Sequence, residues 1–413
     1  RDLVRSRGLG DVYKRQTVQC PSRVPVGKYH QTIKIEGSKH FTIQLDYNVH
    51  HTTIPLKSSI PITVGVENRC MTECLNDKEA DKERQRWVDF VLSYRMTPVF
   101  GTQITPERWQ YEHSFSPWAW NDKRSIRLLN DRRYSCYMLP FFTLSENELA
   151  SLLCNIQKKG KLKESLFYIW DEPAYMEDYE QIKRKVNIIR KYASDARILT
   201  TFFCGPRNGP RKGDLYAVFD YLKHHIHVAT ISLAPCKGNE EEVQHIRYKV
   251  PEGIDWWSYV CWQPGGNEPN FLLQMKGIQQ RAIMWRTWKN GSQGFLYWNC
   301  NIYHKRNPFT YITDMPHGDG ILIYPGDILG CKGPIASARL ERWRDGAEEM
   351  ELLRLVEKNY SKEKADTLLN IVYSSPLSFI EKAHNIPFFR KELLDQLDKT
   401  IPIDYKLRIT DFI

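Results

Sequence analysis

The 413-residue chain has no apolar run of the roughly eighteen residues that a membrane-crossing helix requires. No Gly-rich dinucleotide loop follows any strand-like segment, which argues against a doubly wound nucleotide-binding sheet. Ten cysteines give no metal-ligand spacing. Cys70 and Cys74 have three residues between them and no second pair to complete a zinc site. His224, His225 and His227 have no matching acid cluster, so no metal site is expected. The chain lacks an initiating Met and a visible secretory h-region. Residues 1–16, Arg-rich and without apolar periodicity, read as a non-native leader. The expectation is a secreted or periplasmic protein whose signal peptide is missing upstream.

Positive charge is in excess, at a formal +10. The leader holds five basic and two acidic residues, which leaves +7 for the remainder. Those cations are scattered along helix faces, as at Lys183, Arg184 and Lys191, and no nucleic-acid module accompanies them. Solvated helix faces account for the charge, and no nucleic-acid partner is expected.

Residues 17–66 read as short alternating strands, seen in Gln31–Ile35 and Phe41–Leu45 with a turn at Gly37-Ser38. The composition turns helical after Asn76. Trp87, Val88 and Leu92 mark a helix face, and strand-like and helix-like segments alternate from there. Tyr134 to Phe142 reads as a strand. Ser145 and Glu148 form a capping-box pattern ahead of the Leu149, Leu152, Leu153 and Ile156 stripe. Further strands are expected at 166–170, 198–203, 228–233, 256–262 and 294–298, with one more somewhere in 110–130. Residues 336–358 read as a long final helix. Such β–α alternation argues a parallel sheet under helical cover, and an eight-fold (β/α)8 barrel fits best. The expected divisions are a leader at 1–16, a partial β-sandwich remnant and linker at 17–76, the α/β barrel at 77–358 and a helical appendage at 359–413.

The chemistry concentrates in Leu166-Phe167-Tyr168-Ile169-Trp170-Asp171-Glu172-Pro173. An apolar strand ends in two adjacent carboxylates, and burying even one unpaired charge is costly. The mouth of a parallel barrel, at the C-terminal ends of its strands, is where catalytic groups sit. Neighbouring acids raise each other's proton affinity, so one can stay protonated while the other is ionised. On the pair alone, an acidic N-cap for the following helix reads equally well. Aromatics crowd the other strand ends: Trp256, Trp257, Tyr259 and Trp262 on one, Tyr297 and Trp298 on the next, followed by Asn299 and Asn301. Aromatic faces stack on sugar rings, although alternation sends about half of each run into the core. Carboxylates beside aromatic platforms point to glycoside hydrolysis, and consecutive acids fit its substrate-assisted variant.

Three pieces of the chain resemble glycoside hydrolase family 123, the β-N-acetylgalactosaminidases, and domains related to them. One is Tyr168–Pro173. The second runs from Trp256–Cys261 through Pro269-Asn270-Phe271 to Gly294–Trp298. The third joins Gly318-Asp319-Gly320 and Tyr324-Pro325-Gly326 to Gly333–Leu340 and Arg344-Asp345-Gly346. The resemblance implies a TIM-like barrel behind a truncated N-terminal β-sandwich. It implies an exo-acting, retaining β-N-acetylhexosaminidase that needs no metal and no organic cofactor. Its partner would be a glycan or glycolipid ending in an N-acetylhexosamine. Asp171 would orient the 2-acetamido group and Glu172 would act as general acid/base. Tyr259, Trp298 and Asn301 match the family's aromatic motifs, and Trp257 and Tyr297 stand beside them as candidate sugar contacts. Arg95, expected near the end of the first barrel strand, could bind a sugar hydroxyl or equally a structural anion. The third piece reads as structural, with Arg339 and Asp345 able to pair across the last helix. The loops at 263–268 and 299–303 depart from the family pattern, which leaves the hexosamine open. A non-catalytic carbohydrate-binding relative is the alternative.

Overall fold

Strands with small or polar side chains on one face and large aliphatic ones on the other can wrap a closed core and still be covered outside by helices. A computed structural model of the chain describes residues 24–36, 40–105, 110–309 and 315–399. The expected leader and the Gly37-Ser38 turn lie outside the described residues. Two compact units are present, one spanning Pro55–Glu351 with Val372–His384, the other holding the rest.

The larger unit is the barrel. Its strands are β3 (Ile62–Glu67), β4 (Thr97–Thr105), β5 (Gln110–Ser114), β6 (Tyr137–Met138), β7 (Ser165–Trp170), β8 (Arg197–Phe202), β9 (Val228–Ser232), β10 (Asp255–Val260) and β11 (Phe295–Tyr297). β1 (Gly27–Ile35) and β2 (Phe41–Val49) precede them. The sheet runs β5-β4-β3-β11-β10-β9-β8-β7-β6. Every neighbouring pair is parallel except β4 and β5, which form an antiparallel hairpin. At the seam between the two end strands, the Phe115 N–H donates to the Met138 carbonyl at 2.6 Å, so the sheet is nearly closed. The interior is packed by Val99, Met138, Leu166, Leu199, Val228, Trp257 and Leu296. Outside lie helices including α4 (Glu146–Lys158), after α1 (Asn68–Thr72), α2 (Asp77–Ser93) and α3 (Lys123–Leu128). The capping box forms as its sequence predicts, with Ser145 N–H on Glu148 at 2.9 Å, and Leu149, Leu152, Leu153 and Ile156 are buried.

The barrel begins earlier than the sequence suggests. Residues 62–67, grouped by sequence with the N-terminal strands, are a barrel strand between β4 and β11. Alternation of Ile62, Val64 and Val66 with Thr63, Gly65 and Glu67 resembles a half-solvated strand. Here the small and polar residues face the barrel interior, since Thr63 pairs with Leu296 and Gly65 with Val99. The strand expected in 110–130 exists as β5, but it runs against the others and adds to the parallel eight. Of Tyr134 to Phe142, only Tyr137–Met138 is strand.

In the smaller unit β1 and β2 pair antiparallel from Gly27↔Val49 to Ile35↔Phe41, with Tyr29 stacked on Tyr47 at 5.4 Å. This is one two-stranded ribbon; a sandwich would need a second sheet. Near the C-terminus, numbering the helices in order through α9 (Ala338–Asn359), helices α10 (Lys362–Leu369) and α11 (Ile386–Asp398) follow. Among the described residues no helix is long and apolar enough to cross a membrane.

Glycines allow the strands to close. A Cβ on Gly65 would lie 1.8 Å from the Trp298 carbonyl oxygen, and one on Gly294 would lie 2.2 Å from the Trp257 ring. On Gly101 the nearest atom would be 3.7 Å away, an ordinary contact. Gly65→Ala is therefore expected to lower stability by about 1–3 kcal/mol or more, the usual cost of overpacking. Gly101→Ala should stay near wild type, and chemical denaturation of the two variants measures the difference.

Candidate active site

Strand β7 is buried along its whole length, with Leu166 and Tyr168 facing the interior. Its register against β8 slips between Tyr168 and Trp170. Such a bulge adds a residue to one strand and re-aims the side chains after it. Asp171 and Glu172 come next, at the C-terminal mouth. Glu172 has φ +46°, a left-handed conformation that costs energy in a residue with a Cβ. The local backbone is thus bent to present two consecutive acids.

Their environments differ. Asp171 Oδ1 accepts from the Tyr168 hydroxyl at 2.7 Å and from the Thr201 hydroxyl at 2.7 Å. Each hydroxyl has one proton, so with both directed at Asp171 the Thr201 oxygen still accepts, and it takes the Glu172 N–H at 3.0 Å. Glu172 accepts instead from the Tyr259 hydroxyl. Both acids keep solvent-exposed surface. Even so, the surrounding protein desolvates their carboxyls. Burial raises the Asp171 pKa, and the two hydroxyl bonds oppose it. Burial followed by the Asp171 charge raises Glu172 to about 7, against the Tyr259 bond and the Arg207 charge. The two donors on one oxygen favour the ionised form of Asp171, whereas the neighbouring charge adds to burial in favouring the protonated form of Glu172. Two carboxyls in unlike surroundings thus stand side by side at one mouth.

Other strands complete the surroundings. His113 of β5 stacks on Tyr168 with centroids 4.3 Å apart and planes 10° from parallel. Burial pushes its pKa down to about 3, so the ring is neutral. Half-buried Trp298 caps the interior core, and its indole N–H donates to Asp319 Oδ1 at 3.0 Å. Cys261, the next inward residue after Tyr259, is buried and within electrostatic reach of both Glu172 and Asp319.

The sequence candidates divide accordingly. Asp171, Glu172 and Tyr259 come together, and Trp298 joins their surroundings. Trp257 does not: it is buried in the barrel interior one layer below Tyr259, packed against Gly294. Tyr297 lies on the outer face of β11 against Phe271 at 4.6 Å, and its hydroxyl also donates to Asp319. Asn301 is fully buried and braces β3, accepting the Glu67 N–H at 2.8 Å and donating to the Glu67 carbonyl at 3.1 Å. Arg95 precedes β4, at the opposite end of the barrel from the acids, and donates to the Pro55 carbonyl at 2.7 Å. Arg339 does not pair with Asp345. It donates to the carbonyls of Phe271 and Gly318, while Asp345 faces Arg281 and Arg344.

Sequence reasoning missed Tyr168, Thr201, His113 and Asp319. Thr201 carried a usable signal, a hydroxyl at the inward phase of β8, in step with Leu199. Asp319 does more than fill a turn between Gly318 and Gly320, because it orients Trp298. Among the described residues no three His, Cys, Asp or Glu side chains are grouped as a metal site.

A carboxyl raised from its ordinary 4.5 to about 7 binds its proton more tightly in the folded protein than in the unfolded one. Ionised Glu172 thus opposes folding above neutrality, and the cost vanishes once pH falls below the unfolded value. Glu172→Gln should melt above wild type at about pH 8, with the gap closing as pH falls towards 4. A gap that stays constant with pH would remove charge as its origin.

The sequence profile described as Glycoside hydrolase 123, catalytic domain, matches residues 82–356. No curated protein is similar to the chain in sequence. Among solved structures, a family 123 glycoside hydrolase from Clostridium perfringens, studied for glycolipid glycan hydrolysis, aligns with a TM-score of 0.62. The identity is 15%, over 92% of this chain and 78% of that one. The catalytic domain of a Pyrococcus furiosus chitinase aligns at TM-score 0.36 and 10% identity, over 71% of this chain and 98% of its own. A β-D-glucuronidase from Dictyoglomus thermophilum gives 0.38 and 9%, over 76% and 57%. Neither of these two likenesses bears on function. The profile spans well over half of the sequence, so the chain belongs to glycoside hydrolase family 123, and its barrel is a glycoside hydrolase catalytic domain.

Proposed function

We propose that the protein is an exo-acting, retaining β-N-acetylhexosaminidase, with N-acetylgalactosamine as the expected terminal sugar. The observation that carries the reading is the difference between the adjacent acids: Asp171 accepts two hydroxyl bonds that favour its anion, while Glu172 is pushed up to about 7 beside it. The substrate's 2-acetamido oxygen attacks the anomeric carbon as the glycosidic bond breaks, and Glu172 gives its proton to the departing oxygen. Asp171 accepts the acetamido N–H through the oxygen that Tyr168 and Thr201 leave open, and balances the positive charge that develops on the oxazoline-like ring. Glu172, now a carboxylate, then takes a proton from water as the water oxygen attacks the same carbon and reopens the ring. Two displacements at one centre retain the β configuration. No step requires a metal or an organic cofactor.

Hydrolysis of nitrophenyl β-N-acetylgalactosaminide and β-N-acetylglucosaminide by wild type, Glu172→Gln and Asp171→Asn is the test. Turnover of either sugar that falls about 10²–10⁴-fold in Glu172→Gln supports the acid assignment. A folded wild type that turns over neither sugar favours a carbohydrate-binding relative. Because Glu172 must be protonated to start the reaction, kcat/KM should fall as pH rises through about 7. Tyr259 stabilises the ionised form, so Tyr259→Phe should move that alkaline limb to higher pH. An unmoved limb would detach it from Glu172.

A further inference from the structure

The end of the barrel at which β6 and β7 begin carries a cavity of about 420 Å³. Small-molecule sites typically enclose about 300–1,000 Å³. The six residues of β7, at about 3.3 Å each, set this cavity roughly 20 Å from the acids. Three segments converge on it: 55–57 ahead of β3, 130–134 ahead of β6 together with Tyr137, and 161–164 ahead of β7. Arg95 holds the first of them by donating to the Pro55 carbonyl. Tyr134 and Tyr137 stack with centroids 5.2 Å apart and planes 8° from parallel. Their hydroxyls are spent on backbone, donating to the carbonyls of Phe115 at 2.8 Å and Leu129 at 3.1 Å. What these rings offer the lining is therefore carbon. Leu56, 63% exposed, adds an aliphatic side chain that the protein leaves uncovered.

The charges of the lining are unequally used. Asp131 accepts from Arg133 through both carboxylate oxygens, and Glu164 pairs with Lys161 at 3.1 Å. The Lys161 ammonium also lies over the Tyr137 ring, 5.5 Å from its centroid. Lys57 and Arg132 are exposed, and among the described residues neither has an ion pair. Lys57 is nevertheless within electrostatic reach of the Cys136 thiol, buried beside the two tyrosines. Both acids of the lining are thus matched by a cation, and two cations are left over.

We infer that this cavity binds an organic anion, an acidic group carried on a flat apolar ring. The acidic group meets Lys57 and Arg132, and the ring lies against Leu56 and the tyrosines. An inorganic anion would leave the carbon lining uncovered, and a neutral ring would leave both cations without a counter-charge. The inference is independent of the proposed hydrolytic reaction, since no lining residue belongs to the mouth.

The test is a calorimetric titration of the protein with 2-naphthoate, with its neutral counterpart 2-naphthalenemethanol, and with inorganic sulfate. Wild type should bind 2-naphthoate about tenfold more tightly than either of the others. Arg132→Gln and Lys57→Gln should each weaken 2-naphthoate about tenfold, as expected for loss of a hydrogen bond to a charged group. Both side chains are exposed, so the melting temperature should stay at the wild-type value. Leu56→Glu, which sets an acid against the ligand, should abolish binding. No binding by wild type overturns the site. Equal affinity for the alcohol or for sulfate overturns the assigned chemistry, and an affinity unchanged in both Gln variants places the ligand elsewhere and overturns the site as well.

Discussion

One hydroxyl, that of Thr201, holds the two acids in their relation to each other. It donates to the Asp171 carboxylate and accepts the N–H of Glu172, so β8 fixes both the side chain of the first acid and the backbone of the second. The bulge in β7 and the left-handed φ of Glu172 would otherwise relax, since neither is favoured locally. Tyr168 adds a second donor to the same oxygen and is itself backed by His113. Burial at that ring keeps the imidazole neutral, so His113 adds no positive charge beside Tyr168 and Asp171. The difference between the acids therefore comes from hydroxyl donors and desolvation, a combination that leaves Glu172 able to gain and lose a proton near neutrality.

The alternating strands and helices, the capping box and the acids ending β7 were legible in the sequence. Period-2 alternation and cap chemistry are local, and two carboxylates closing an apolar run have few structural uses. The residues that modulate the acids were harder to read, because their role depends on which strands become neighbours. His113 reaches the site only because β5 turns back against β4, and nothing in residues 110–114 announces the direction of a strand. Arg95 was expected near the end of the first barrel strand, whereas β4 begins two residues after it, at Thr97, which puts it at the other end of the barrel.

The aromatic runs divided as alternation requires. Trp257, Tyr259 and Cys261 all point inward, yet their roles differ: Trp257 fills the core, Tyr259 reaches Glu172, and Cys261 follows it as a buried thiol. Sequence identifies the face of a strand; the layer within the barrel depends on register with neighbours, here Trp257 beside Thr230 and Tyr259 beside Ser232. Asn301 shows the same limit. Its place after Trp298 suggests a sugar contact, whereas its side chain replaces the missing ladder above β3.

The antiparallel strand β5 also gives the barrel a seam. Elsewhere the wall is a continuous ladder, but β5 meets the two-residue strand β6 through the Phe115–Met138 bond alone among the described backbone pairs. A wall joined so sparsely is where breathing is cheapest, because few hydrogen bonds must break for it to part. His113 rides on that edge. Parting of that edge would carry the imidazole off the ring of Tyr168, whose hydroxyl donates to Asp171.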